Sequence, residues 1–298
     1  MVQPGDQKKA ILYALAAVLF WSTVPTAFKL GLRYQDNFQM LAGASIVSTI
    51  VLAVTLLVQK KTFLLKQLKT RDILRAALLG ILNPAIYYLI LFRAYDLLPA
   101  QVAQPLNMTW PIVLVIISIP LLKQKTSWMS LLSLFISFGG IVVLSLQGGS
   151  IFTEESLFTG VLLALCSAAI WAFYWILNMK SRVDEVLGLF MIFLFSTSYL
   201  LLMGIFRESA LPTGKEAWLS SIYIGIFEMG LAFVFWLRAL QLSSTTAKIS
   251  NLVFIAPFLN LIFVSLILGE SIYISTIFGI VLVIAGILIQ NRSTRKNA

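Results

Sequence analysis

The sequence predicts an all-α membrane protein with ten transmembrane helices in two inverted five-helix repeats, and three observations predict it. The first is composition: 59% of the 298 residues are hydrophobic and 11% charged. A soluble domain of that size has no interior large enough for so much apolar surface. The second is the length of the apolar runs, each near the roughly 20 residues that cross a ~30 Å hydrocarbon layer. The third is an internal match. Residues 79–94 (LGILNPAIYYLILFRA) lie without gaps over 224–239 (IGIFEMGLAFVFWLRA), pairing Gly80 with Gly225, Ile81 with Ile226, Arg93 with Arg238 and Ala94 with Ala239. The offset of 145 is about half the chain, and Asn83 falls opposite Glu228, each the polar residue in the middle of its stretch.

The spans follow in order. Residues 10–32 form the first, carrying Trp21, Ser22, Thr23 and Pro25. Lys8 and Lys9 in front of it resemble a signal peptide, but the run is longer than an h-region and has no small-residue cleavage site. Residues 37–58 are the second. The third, 73–95, carries Asn83, Pro84, Tyr87 and Tyr88; the fourth, 99–122, carries Gln101, Gln104, Pro105, Asn107, Thr109, Trp110 and Pro111. In the fifth, 128–146, Ser133, Ser137 and Gly140 make a face of small residues, as Ser275, Gly279 and Gly286 do in the tenth, 272–290. Small faces permit close helix packing, which assigns these two helices to scaffold or dimer contact. The sixth, 157–179, places Trp171, Tyr174, Trp175 and Asn178 on one face. The seventh covers 186–206, the eighth 218–241 and the ninth 245–268, the last with Lys248, Ser250, Asn251, Pro257 and Asn260; the break between eighth and ninth is the least marked. Prolines 25, 84, 105, 111 and 257 inside spans free backbone carbonyls that can line a cavity or act as hinges.

Lysine and arginine set the orientation. With the N-terminus in the cytoplasm, 17 of the 22 basic residues fall inside and 5 outside: Lys29, Arg33, Arg93, Arg207 and Lys215. Both termini are then cytoplasmic, in a plasma or inner membrane. Five helices per half is an odd number, so residues 150–298 enter the membrane from the side opposite to residues 1–149. Arg93 and Arg238 end matched helices on opposite faces and read as interfacial snorkelling.

Glu228 is the residue that most needs a reason. In a run over 218–241 it lies ~15 Å from the start, near mid-layer, where an ionised acid costs about 2.5–3.5 kcal/mol. It reads as a functional group facing the protein interior, or as a buried acid held for packing alone. Lys248 is its nearest candidate partner in sequence. Trp21 and Trp171 pair across the halves at an offset of 150 and suit a cavity wall. Gln104 and Asn107 serve equally as substrate contacts or as interhelical hydrogen-bond glue. Trp128 and Trp218 suit the interfacial belt, and Trp110 suits it poorly.

Composition also excludes. There is no histidine and one cysteine, Cys166, which removes His-based metal sites, Ser-His-Asp and Cys-His catalysis and any intrachain disulfide. No metal or cofactor is implied. The net charge of +10 lies in short links between spans, where topology explains it better than nucleic acid does. With no nucleophile motif, no paired intramembrane aspartates and no ATP-binding motif, an intramembrane enzyme is disfavoured and the energy source is a gradient.

The stretches FWSTVPTAFK (20–29), FRAYDLLPAQVAQPLNMTWPIV (92–113) and LRALQLSSTTAKISNLVFIAP (237–257), with ILGES (267–271) ending the ninth span, resemble the EamA branch of the drug/metabolite transporter superfamily over nearly the whole chain. The first half reads LLKQK (121–125) where the second has Gly269 and Glu270, so any role of Glu270 need not be symmetric. The resemblance implies a central cavity lined by helices one to four and six to nine, alternating access and small organic substrates, often exported amino acids. Relatives of this kind also include choline-like cation importers and sugar-nucleotide carriers. The expected function is a secondary transporter of a small metabolite, an amino-acid exporter first and a choline-like cation importer as the alternative. A non-transporting membrane protein ranks behind both. Trp21, Tyr87, Trp171, Tyr174 and Trp175 would form apolar walls, Asn83, Gln104 and Asn107 would supply hydrogen bonds, and Glu228 would take a proton or a substrate ammonium. The expected partners are a small molecule and the lipid bilayer, with the chain a monomer or a homodimer through spans five and ten.

Overall fold

The computed structural model describes residues 6–97, 106–145, 155–207, 209–268 and 274–296. The helices are α1 (Gln7–Gly31), α2 (Asn37–Val58), α3 (Thr70–Gly80), α4 (Tyr87–Leu97), α5 (Trp110–Leu122), α6 (Trp128–Ser145), α7 (Glu155–Met179), α8 (Glu185–Gly204), α9 (Lys215–Tyr223), α10 (Phe233–Leu242), α11 (Thr246–Ser250), α12 (Ala256–Leu268) and α13 (Ile274–Lys296). Among the described residues there is no strand. Among the described residues, six stretches are long and apolar enough to cross a membrane: Gln7–Phe28, Asn37–Val58, Thr70–Ala94, Phe158–Met179, Glu185–Gly204 and Lys215–Leu242. Three shorter apolar helices are Trp110–Leu122, Trp128–Val143 and Ile277–Gln290. Helix is what apolar sequence must form in hydrocarbon, since it satisfies every interior backbone group without water. The weakly marked break between the eighth and ninth runs is real: α10 stops at Leu242 and α11 begins at Thr246.

Helix starts are fixed by aspartates. Asp6 caps α1, Asp36 caps α2 in a capping box with Gln39, and Asp184 accepts from the amides of Val186 and Leu187 at the start of α8. These side chains satisfy amides that have no partner inside the helix.

Several spans are broken near their middles. A π-helical turn, Ile81–Ile86, joins α3 to α4, and within it Asn83 adopts extended dihedrals (φ −152°, ψ 131°) before Pro84, which has no N–H for the ladder. A second π-helical segment, Ile224–Ala232, joins α9 to α10 and contains Glu228. Shifted by 145, the first break falls inside the second. A 3-10 segment, Asn251–Ile255, separates α11 from α12. Pro111 is not interior, as the sequence suggests, but the second residue of α5 after a turn at Met108 and Thr109; a first-turn proline loses no hydrogen bond. Pro120, by contrast, lies inside α5.

The packing obeys a rule. Exchange each helix for its counterpart in the other half (α1 for α7, α2 for α8, α3 for α9, α4 for α10, α5 for α12, α6 for α13) and the main contacts map onto one another. Thus α4 packs on α7 as α10 packs on α1, α5 on α7 as α12 on α1, and α3 on α8 as α9 on α2. Two helices pack on their own counterparts. In α2 and α8, Asp36 meets Arg207, Thr49 meets Thr197 and Lys61 meets Asp184, so the two run antiparallel. In α6 and α13, Ser133 bonds Gln290, Ser137 bonds the carbonyl of Val283 and Gly140 lies against Gly279, again antiparallel. A Cβ on Gly140 would stand 2.5 Å from the Gly279 oxygen, and one on Gly279 would stand 2.7 Å from the Gly140 oxygen. The small faces of these two helices are therefore turned on each other; the side chain of Ser275 lies outside the described residues.

Candidate functional site

The centre of the molecule is aromatic. Trp171 of α7 is its hub, with ring centroids 4.3 Å from Tyr87, 5.4 Å from Phe233, 5.7 Å from Trp175, 6.2 Å from Trp110 and 6.3 Å from Trp21. Trp21 in turn lies 5.2 Å from Trp236, and Tyr174 lies 5.2 Å from Trp175. Trp21 is half-buried and the others are buried. Helical spacing explains the convergence: 171, 174 and 175 share one face of α7, and 233 and 236 share one face of α10. All five expected wall residues, Trp21, Tyr87, Trp171, Tyr174 and Trp175, thus meet in one cluster. They pack against one another in offset and edge-on geometries, the preferred arrangements of aromatic rings.

Glu228 sits beside this cluster, 8% exposed, facing inward rather than toward lipid. The hydroxyl of Tyr88 donates to its Oε1 at 2.6 Å. Its Oε2 is buried and has no hydrogen-bond partner among the described residues. Lys248 is not its partner: that ammonium donates to Ser244 Oγ at 2.7 Å, one turn back toward the helix start. Arg238 pairs with Glu185 at 3.1 Å.

The remaining candidates divide. Asn83 is fully buried, and neither atom of its amide has a partner among the described residues. Asn107 is held between helices, donating to Ser167 Oγ at 3.0 Å and accepting from the Tyr87 hydroxyl at 3.5 Å. Gln104, with Gln101, Pro105, Gly269 and Glu270, lies outside the described residues. Other buried groups without partners among the described residues include the Tyr174 hydroxyl, the indole N–H groups of Trp171, Trp175 and Trp236, Ser250 Oγ and both amide atoms of Asn251, and also hydroxyls away from the aromatic cluster such as those of Ser45, Ser48 and Ser196.

Sequence reading missed Tyr88, Phe233 and Trp236 as site residues and placed Trp110 outside the belt without assigning it. The signal for Trp236 was present, since it lies eight residues after Glu228, within the i+7/i+8 range of one helix face. A cleft of about 430 Å³, including its solvent-open mouth, lies at one end of the bundle among Asp72, Arg75, Asn178, Asp184 and Glu185. Among the described residues no group of three or more His, Cys, Asp or Glu could hold a metal ion.

The sequence profile of the EamA-like transporter family matches residues 8–146 and 158–292. An uncharacterized transporter of Clostridium kluyveri is 27% identical, with 97% of this chain and 95% of that protein covered. A probable terminal-alkyne amino-acid exporter of Streptantibioticus cattleyicolor is 22% identical over 96% of this chain and 94% of its own length. One crystal structure superposes with a TM-score of 0.84 at 20% identity, covering 98% of this chain and 99% of the other, which is a likeness of fold.

Proposed function

The chain belongs to the EamA-like transporter family, and from that premise we propose that it is a secondary transporter of a small organic metabolite, moving an amino acid or a related compound outward by alternating access. The family and its relatives are transporters and not enzymes. The observation that carries the reading is Glu228, enclosed beside the aromatic cluster with one oxygen held by Tyr88 and the other without a partner among the described residues. A carboxyl of this kind holds a proton while enclosed and yields it to water, or exchanges it for a substrate ammonium, when the site opens. The name of the Streptantibioticus relative favours an amino acid.

Two inverted repeats, residues 1–149 and 150–298, supply the two faces. Their support is the antiparallel pairing of α2 with α8 and of α6 with α13: an operation that exchanges antiparallel counterparts reverses direction across the membrane. The remaining four helix pairs would then enclose the site, with both termini cytoplasmic in the plasma or inner membrane. Because the small faces of α6 and α13 are mutually occupied, any homodimer through them uses their outer faces; otherwise the chain is a monomer.

The five clustered tryptophans also favour a second reading, import of a choline-like quaternary cation, because ring faces around a carboxylate attract such a group. Purified protein in liposomes decides between them. Efflux of a preloaded amino-acid panel, with choline as the other arm, should show amino-acid movement that depends on pH. In Glu228→Gln it should fall at least tenfold and lose that dependence. Wild-type rate and pH profile in the variant remove Glu228 from coupling, and choline flux alone selects the second reading.

A further inference from the structure

Both N-cap aspartates of the self-paired helices α2 and α8 do two jobs. Asp184 gives Oδ1 to the amides of Val186 and Leu187 and Oδ2 to the ammonium of Lys61, at 2.6 Å. Asp36 gives Oδ1 to the amide of Gln39 and Oδ2 to the guanidinium of Arg207, at 3.3 Å. Capping needs one oxygen; the second ties the helix start to the residue just past the end of the counterpart helix in the other half. The two ties are the same tie with the halves exchanged, since Asp36 and Asp184 differ by 148 and Lys61 and Arg207 by 146, close to the offset of 145 in the sequence match. They stand at opposite ends of the antiparallel α2/α8 pair.

We propose that the two ion pairs are latches that set which face of the molecule opens, Lys61–Asp184 holding shut the end that carries the chain terminus Asp6 and Arg207–Asp36 holding shut the opposite end. The assignment rests on the alternating-access reading above. As plain surface ion pairs they would do little for stability, but a weak tie whose making and breaking accompanies the motion between halves suits a gate. Here both are closed, as the packed aromatic centre is. Solvent reaches both, and at the Lys61 end the cleft beside α7 and α8 is lined by Asp184 itself, with Arg75 and Glu185.

The latches are unequal. At the Lys61 end a second bond crosses between the halves, Arg75 donating to the carbonyl of Leu177, while the pair Arg238–Glu185 at 3.1 Å braces α10 against α8 within the second half. The counterpart of Glu185, at the same offset of 148, is Asn37, so this acid has no copy at the matched position of the first half. The pair at the opposite end is the more exposed, 46% and 49% for Arg207 and Asp36 against 29% and 18% for Lys61 and Asp184. Beside it, Gln39 bonds Ser209 at 2.8 Å, and Arg207 lies over the Phe38 ring at 4.5 Å. The Arg207 end therefore opens first.

Spin-label distances in lipid nanodiscs test this with the full chain carrying Cys166→Ser. One label pair at exposed Val58 and Arg182 reads the Lys61 end; another at exposed Tyr34 and Phe206 reads the opposite end. The variants Asp184→Asn and Asp36→Asn keep a good N-cap and remove only the charge. Asp184→Asn should lengthen the Val58–Arg182 distance and Asp36→Asn the Tyr34–Phe206 distance, each at its own end alone, with the larger displaced fraction in Asp36→Asn. Lys61→Gln should copy Asp184→Asn, and Lys61→Arg should restore the closed distance. Distances that stay put in every variant, or that move at both ends in each, overturn the latches. The labels are read without substrate, so responsive distances in a protein that transports nothing refute the transport reading and leave the latches standing.

Discussion

At the scale of single residues, the bond from Tyr88 to Glu228 joins the third span to the eighth, and so one half to the other. Removing the donor in Tyr88→Phe leaves a buried carboxyl oxygen unsatisfied, a penalty of about 1–3 kcal/mol. The expected outcome is a lower thermal midpoint in detergent and transport slowed several-fold. In the double variant with Glu228→Gln the losses should not add, because both act on one contact. Glu228, Asn83, Tyr87 and the three aromatic residues of α7 were legible in the sequence because polar or large aromatic groups stand out at mid-span. Trp236 carried only its spacing from Glu228 as a signal, and Phe233 carried none, because it opens the apolar run Phe233–Leu237 in which no residue stands out. The suggestion of Lys248 as a partner for Glu228 failed for a geometric reason: Glu228 stands near the middle of its run, whereas Lys248 follows the break between α10 and α11 and bonds Ser244 within that break.

At the scale of elements, the spans were legible from hydrophobic length, whereas their irregularities were only partly so. Pro84 marks the break at Ile81–Ile86 and Pro257 follows the one at Asn251–Ile255, but the π-helical segment Ile224–Ala232 has no proline. Its glycines are the available sign. A Cβ on Gly225 would stand 2.6 Å from the carbonyl oxygen of Ala44 in α2, and one on Gly230 would stand 2.8 Å from the oxygen of Gly225 itself. The reciprocal approach of Gly140 and Gly279 was foreshadowed by the small faces of spans five and ten, though their mutual pairing was not. Since Gly279→Val places a branched side chain against backbone, it should destabilise by about 1–3 kcal/mol or more. Melting of the purified variant measures this, and an unchanged midpoint would show that α6 and α13 separate without consequence.

At the scale of the whole molecule, the proposed repeat rests in the sequence on one sixteen-residue match at half-chain offset, and the exchange of contacts among six helix pairs supports it. Sequence alone could not show that α2 and α6 would pack on their own counterparts, because identity between halves carries no information about which surfaces meet. The proposed orientation makes a direct prediction. Single cysteines placed near the N-terminus and beside Lys61 should react with an impermeant thiol reagent from the cytoplasmic face, and one at Tyr34 from the other face; any reversal among the three refutes the threading. Like-with-like pairing across the halves has a consequence for ancestry. A half-length forerunner inserted in both senses would already have possessed, as a homodimer, every major seam present here. Joining two copies of its gene would have required a connecting peptide and no new seam. Only after such a fusion would the copies have been free to diverge, so that a glutamate could stand at position 228 and an asparagine at 83, and the two ends of the molecule could cease to be equivalent.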